Sequence, residues 1–253
     1  MMNSTTQATL IKVPAVTLGF WIIKILATTL GETGGDAVSM SMDLGYLISS
    51  ALFMLLFVAM VLWQIRATDF QPLRYWATIL ASTTVGTTLA DFATRSLGIG
   101  YGGGTLLLLT LLALTLVFWH RQLGSIDITS VSSVKAQFFY WLTIMFSQTL
   151  GTALGDWTAD SADLGYLFAA GVFGSLLLLI VLLTYFSHIS RTALFWAAFV
   201  LTRPLGAVVG DFLDKPVAQG GLDLSRYSAT AALLTTIVLL IVLLPQRAAL
   251  KTH

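Results

Sequence analysis

The chain has 253 residues, 57% of them hydrophobic and only 10% charged, with a formal net charge of +1. A mean hydropathy of +0.86 excludes a water-soluble globular domain. The net charge by itself is uninformative, no nucleic-acid partner is expected, and the lack of cysteine excludes disulfides and thiolate metal ligands.

Eight apolar stretches approach the roughly 20 residues that a helix needs to cross hydrocarbon. They lie at 14–36, 45–64, 75–93, 101–119, 136–157, 165–186, 193–213 and 227–244. The first carries Lys24, Glu32 and Asp36, a poor signal-peptide core, so it reads as a retained helix. Barrel strands would alternate polar and apolar residues, and Leu176 to Leu183 does not. The expected fold class is all-α: a polytopic membrane protein with eight transmembrane helices in one membrane domain, 1–253. Asp43 and Asp163 stand at the start of second helices and read as N-caps. Tyr46, Tyr101, Tyr166, Tyr227, Trp63 and Trp119 read as an interfacial aromatic belt. Gly102–Gly104 and Gly220–Gly221 read as flexible entries to the fourth and eighth spans.

The basic residues divide unequally. Lys12, Arg66, Arg74, Arg121, Lys135, Arg191, Arg247 and Lys251 lie near the termini or in even-to-odd connections; Arg95, Lys215 and Arg226 lie on the opposite face. That opposite face also holds Asp43, Asp160, Asp163, Asp214 and Asp223. By the positive-inside rule both termini are expected to be cytoplasmic, and an even number of spans agrees with their lying on one side.

A tryptophan, a glycine ten residues on and an aspartate five further recur four times: Trp21, Gly31, Asp36; Trp76, Gly86, Asp91; Trp141, Gly151, Asp156; Trp196, Gly206, Asp211. Asp43–Tyr46 and Asp163–Tyr166 share the same four residues, so a two-helix unit has been duplicated and the pair duplicated again. The units, 13–66, 70–121, 133–187 and 190–245, enter the membrane in one direction. Four parallel two-helix repeats with pseudo-fourfold or nested twofold symmetry follow. Small residues four apart, Gly31 with Gly35, Gly86 with Ala90, Gly151 with Gly155 and Gly206 with Gly210, suit close packing of the odd-numbered helices. The tryptophans fit helix packing there, and the leucine-rich even helices fit a lipid-facing role.

Stepping back from each aspartate by four gives one face of a helix. The four faces read Lys24, Thr28, Glu32, Asp36; Ile79, Thr83, Thr87, Asp91; Ile144, Gln148, Thr152, Asp156; and Phe199, Arg203, Ala207, Asp211. Ionisable groups in membrane sequence are costly and mark functional paths. Asp36, Asp91, Asp156 and Asp211 are expected to form an outward acidic vestibule that attracts cations. Glu32 is the expected coupling carboxylate, with Thr28, Thr83, Thr87, Gln148 and Thr152 lining the path. Lys24 and Arg203 are expected internal counter-charges, and one or the other is expected to pair with Glu32 or an aspartate. The threonines can also bond to carbonyls of their own helices. His120, His188 and His253 lie in connections or the tail, so a metal cargo would be a hard cation held by oxygen.

The four tryptophans and the four glycine-to-aspartate segments resemble a bacterial membrane-protein family defined by a tandem repeat of unknown function, described as uncharacterised membrane-anchored proteins. The resemblance covers nearly the whole chain. It implies a multi-pass protein of the bacterial inner membrane and brings no activity or catalytic residues. Units two to four lack a counterpart of Glu32, and unit four has Ala207 for threonine, so the site is not fourfold symmetric. The expected function is a proton-coupled carrier or exporter of a small cation: manganese, magnesium or a monovalent ion. The alternatives are a non-transporting assembly subunit and an anion carrier using Lys24 and Arg203. An enzyme is not expected, since no nucleophile–base set is recognisable, and neither is a cofactor. The expected partners are the bilayer, the cation and a second copy in a homo-oligomer.

Overall fold

A computed structural model describes residues 12–161 and 165–249. Its helices are α1 (Leu18–Asp36), α2 (Gly45–Ile65), α3 (Pro72–Asp91), α4 (Gly100–Leu123), α5 (Val134–Asp156), α6 (Gly165–Phe186), α7 (Arg191–Asp214) and α8 (Arg226–Leu243). The described residues contain no strand beyond one isolated bridge. By length and composition, α2, α4, α6, α7 and α8 are long and apolar enough to cross a membrane. The other three, α1, α3 and α5, are of similar length, but the polar residues of their second halves are turned inward and buried.

Local chemistry sets the helix starts. Thr17 caps α1 by accepting a hydrogen bond from Phe20 N (3.2 Å), so the helix begins after Pro14 rather than at it. Pro72 opens α3, where a missing N–H costs nothing. Ser133 accepts from Ala136 N (3.1 Å) and caps α5.

The odd helices close a ring, α1 against α3, α3 against α5, α5 against α7 and α7 against α1. Each even helix lies on the odd helix of the next unit: α2 on α3, α4 on α5, α6 on α7 and α8 on α1. The glycines explain the closeness of the ring. A Cβ on Gly86 would come within 2.8 Å of Gln148 Cβ, and one on Gly31, Gly151 or Gly206 would collide with Thr83, Arg203 or Thr28. Four residues on, Gly35, Gly155 and Gly210 lie against Thr87, Ala207 and Glu32 in the same cyclic order. Ala90, the fourth member of that set, sits in an apolar cluster with Leu112, Leu150 and Ala153. The outer helices expose large apolar side chains such as Leu55, Leu106, Leu178 and Leu239.

Before α1 and after α8 the chain pairs with itself. Ala15 N donates to Arg247 O (2.8 Å) and Ala249 N to Val13 O (2.9 Å), placing both segments at one end of the bundle. At the other end, α1, α3 and α5 each pass straight into a five-residue π-turn: Ala37–Ser41, Phe92–Ser96 and Trp157–Ser161. In α7 the fifth residue after the aspartate is Pro216, which has no N–H for such a turn, and Lys215 before it is extended (ψ 152°).

Several sequence expectations are corrected. Asp43 is not an N-cap: it adopts a left-handed conformation (φ 58°), and Leu44 caps α2 without a side-chain bond. Asp163 lies outside the described residues. Trp119 is fully buried, 5.8 Å from Trp196 ring to ring, because the bundle is closed by aromatic packing at that end; Tyr166 is also buried. Gly102–Gly104 are part of α4 rather than a flexible entry, with Gly104 packed on Thr94 of the preceding turn.

The connection between α4 and α5, which makes the middle tryptophan spacing longer, is built around Asp127. Its carboxylate accepts from Thr129 N (2.8 Å), Thr129 Oγ1 (2.6 Å) and Thr192 Oγ1 (2.8 Å), tying the connection to α7. Partial burial pushes this carboxyl up, but the Thr129 and Thr192 bonds outweigh it and hold it below its ordinary range. A depressed folded-state pKa contributes stability above the unfolded value of about 3.9, and that stability is lost as pH falls through the folded value. Asp127→Asn should therefore cost about 1 kcal/mol at pH 7, and the difference should shrink at a pH below the ordinary carboxylate value of about 3.9. Unfolding of both proteins in detergent at the two pH values checks this.

Candidate functional site

The four polar faces meet inside the ring as four layers. From the end carrying the termini these are Lys24, Ile79, Ile144, Phe199; then Thr28, Thr83, Gln148, Arg203; then Glu32, Thr87, Thr152, Ala207; and then the four aspartates. None of the sixteen residues is more than 3% exposed, so the structure is a closed column rather than an open path.

An aromatic floor closes the first end. Tyr75 and Tyr140 share a hydroxyl–hydroxyl bond (2.7 Å), and Trp76, Trp141 and Trp196 pack around them. Trp76 Nε1 donates to Gln246 Oε1 (3.2 Å) and Trp196 Nε1 to Ile126 O (3.0 Å). Trp21 is different: it is half-buried and lines an apolar groove of about 700 Å³ with Phe195, Leu177 and Ile180.

Lys24 rests above this floor, its Nζ 4.2 Å from the centre of the Phe199 ring and without a hydrogen bond. It does not pair with a carboxylate, because Arg203 takes that place. Arg203 extends from α7 across the ring interior. Its Nη2 donates to Glu32 Oε2 (3.0 Å) and Thr87 Oγ1 (2.6 Å), and its Nη1 donates to Thr28 O (3.0 Å). These contacts reach α1 and the diagonally opposed α3. The pair is buried on both sides, with Arg203 at 0% and Glu32 at 3% exposure. The threonines divide their bonds. Thr28 donates to Ile25 O and lies near Thr202 O, Thr83 donates to Leu80 O, and Thr152 lies near Gln148 O. Thr87 Oγ1 also lies 2.9 Å from Gly31 O. Gln148 Nε2 reaches Ser82 Oγ at 3.5 Å.

The aspartates are not an open vestibule. Arg95 bridges Asp91 (3.1 Å) and Asp156 (3.2 Å), and Lys215 bridges Asp36 (2.8 Å) and Asp211 (3.1 Å). Each bridging cation stands four residues after its own aspartate and reaches the aspartate of the next unit, so the arrangement repeats every second unit. Arg226 adds a bond to Asp214 (2.9 Å) and lies 3.8 Å from Asp36. Above them is a cleft of about 930 Å³ whose charged lining among the described residues is Arg95, Lys215 and Arg226. Burial works against the charge on Lys215, but Asp211, Asp36 and Asp214 outweigh it and raise its amine above the ordinary lysine range.

These three cations and Asp214 were not among the expected site residues. The signal was present: Asp91 with Arg95 and Asp211 with Lys215 are pairs four apart, the spacing of a helical ion pair. Six carboxylates thus face five cationic side chains, and the site is much nearer neutrality than the aspartates and Glu32 suggest by themselves. One oxygen each from Glu32, Asp36 and Asp211 lies within 4.8 Å of the others, all buried.

Fold and site together define a helical, membrane-type protein made of four two-helix repeats around a buried ionisable column. The chain belongs to the family of the Repeat of Unknown Function (DUF347), whose model matches residues 19–69, 74–124, 139–190 and 194–247. No curated protein and no solved structure matches the chain.

Proposed function

We propose that the chain is an inner-membrane carrier or exporter of a small cation, coupled to protons, with its path along the axis of the odd-helix ring. All eight helices span the bilayer in this reading, in a pseudo-fourfold or nested twofold arrangement with both termini cytoplasmic. The observation that carries it is the buried ladder of Glu32 above Arg203 and below four aspartates, every aspartate held by a side-chain cation. A bundle needing only stability gains little from such a ladder, since apolar residues of equal volume usually serve as well. Carboxylates already bridged by ammonium and guanidinium groups are sites where one cation can replace another. The orientation draws support from the opposite face, where Arg95, Lys215 and Arg226 are all in ion pairs.

The cationic lining of the cleft favours a second reading, an anion carrier. The charge count weighs against it, because each of these cations already contacts one or two carboxylates. Proteoliposome flux decides. Wild-type protein should move at least one of proton, potassium, sodium, manganese or magnesium, and Glu32→Gln, folded, should abolish that movement. Chloride or phosphate flux without cation flux would replace the proposal with the anion reading. No flux of any of these would leave a membrane assembly subunit as the better account.

A further inference from the structure

Glu32, Asp36 and Asp211 differ from the rest of the column in bringing three carboxylates together. The equivalent place between units two and three has Asp91 and Asp156, but Thr87 and Thr152 stand where Glu32 would be. We infer that Glu32, Asp36 and Asp211 form a binding site for one hard divalent cation, and that Lys215 is a tethered competitor occupying its place. This deepens the carrier reading and rests on it only for the fate of the bound ion.

Three observations support the site. The carboxylate oxygens lie within 4.8 Å of one another, and a hard divalent ion with metal–oxygen distances of about 2.1–2.4 Å holds opposite ligands roughly 4.2–4.8 Å apart. Asp36 is 1% exposed, and its Oδ1 has no hydrogen bond while Oδ2 takes Lys215. An ammonium group is already seated between two of the three ligands: Lys215 Nζ lies 2.8 Å from Asp36 Oδ2 and 3.1 Å from Asp211 Oδ1, the latter without hydrogen-bond alignment.

Charge gives the reason for exchange. Three carboxylates facing a divalent ion and Arg203 are neutral, whereas with Lys215 and Arg203 they retain one negative charge. The ligand set is all oxygen, which suits magnesium, calcium or manganese and not a soft metal. Lys215 also joins the site to the cleft, as it is 12% exposed and lines it beside Arg226, which lies farther from Asp36 at 3.8 Å. An ion entering from that side would displace the lysine into the cleft.

Manganese(II) binding by the full chain in detergent, followed by electron paramagnetic resonance, tests the inference without flux. Wild type should bind one ion per chain at or below about 1 mM. Glu32→Gln and Asp36→Asn should each weaken binding about tenfold or more. Lys215→Gln should tighten it about tenfold, because a positive charge leaves the site. Arg95→Gln removes the same charge at the equivalent place, where it touches Asp91 and Asp156 and none of the three ligands, and should tighten binding less than Lys215→Gln does. Gel filtration and helical circular dichroism establish which variants are folded, and the carboxylate variants decide the matter if Lys215→Gln does not fold. Binding that survives Glu32→Gln and Asp36→Asn, or no binding by folded wild type and Lys215→Gln, would overturn the site. Tightening by Arg95→Gln equal to that by Lys215→Gln would also overturn it. Manganese bound without flux leaves the site and removes the carrier, whereas monovalent flux without manganese binding does the reverse.

Discussion

Arg203→Met should lower the stability of the bundle by about 3–5 kcal/mol, the range for removing one partner of a buried ion pair. The guanidinium is fully buried and reaches two other helices of the ring, α1 through Glu32 and the Thr28 carbonyl and α3 through Thr87. Methionine fills much of the same volume, so the loss reports charge and hydrogen bonds rather than a cavity. Glu32 would then be a carboxylate 3% exposed with no cation against it. The double variant Arg203→Met/Glu32→Gln should recover most of the loss, since the orphan charge goes with its partner. Unfolding in mixed micelles measures both. A single-variant loss below about 1 kcal/mol, typical of exposed pairs, would mean that the two groups do not meet as charges.

The second large effect is steric. Gly206→Leu should break the seam between α7 and α1, because even a Cβ there would collide with the Thr28 side chain and lie 2.8 Å from its carbonyl carbon. Overpacking of this kind costs about 1–3 kcal/mol in forgiving sites, and this one has backbone rather than a movable side chain in the way. The seam also carries the bond from Arg203 Nη1 to Thr28 O, so the pair with Glu32 would be strained with it. Gly171 and Gly174 on α6 are the controls: a Cβ at either meets nothing within 4 Å. Gly171→Leu should leave stability equal or higher, since glycine costs about 1 kcal/mol in a helix interior. The same unfolding assay should separate Gly206→Leu from Gly171→Leu by several kcal/mol. Equal behaviour would mean that the helices do not approach at Gly206.

These two effects come from features of different legibility. The glycines could be read as contact points because a period of four on one helix face has a single steric meaning, and four copies in register leave little room for accident. The unit order around the ring follows from parallel repeats. That Lys24 or Arg203 would meet Glu32 or an aspartate was readable because each lies where an unpaired charge is expensive, but which of them pairs was not. The covering of the aspartates was harder to see. Arg95 and Lys215 looked like surface charges of a connection when counted by side of the membrane, yet their spacing from Asp91 and Asp211 was that of a helical pair. Lys24 could not be placed by spacing. Only the long reach of Arg203 from α7, met across the ring by Thr87, leaves the lysine without a carboxylate and facing Phe199. The π-turns escaped because Ala37–Ser41 and its counterparts have no composition that separates a wide turn from an ordinary helical one.

Those turns give the two latches over the column different mechanics. Arg95 lies inside a π-turn, Phe92–Ser96, a stretch of helix that carries one residue more than α geometry needs. Drawing that extra residue out would wind the turn back to α and rotate everything beyond it by about 100°, the angle of one helical residue. Such a slip in register would carry the guanidinium off both of its aspartates at once. Lys215 has no such hinge, since it is extended before Pro216 and its backbone N donates to Asp211 O (2.9 Å). It leaves by turning its own side chain out of two ion pairs, with no change of helix register. The two cations over the column are thus seated on different backbones, one within a wide helical turn and the other ahead of a proline.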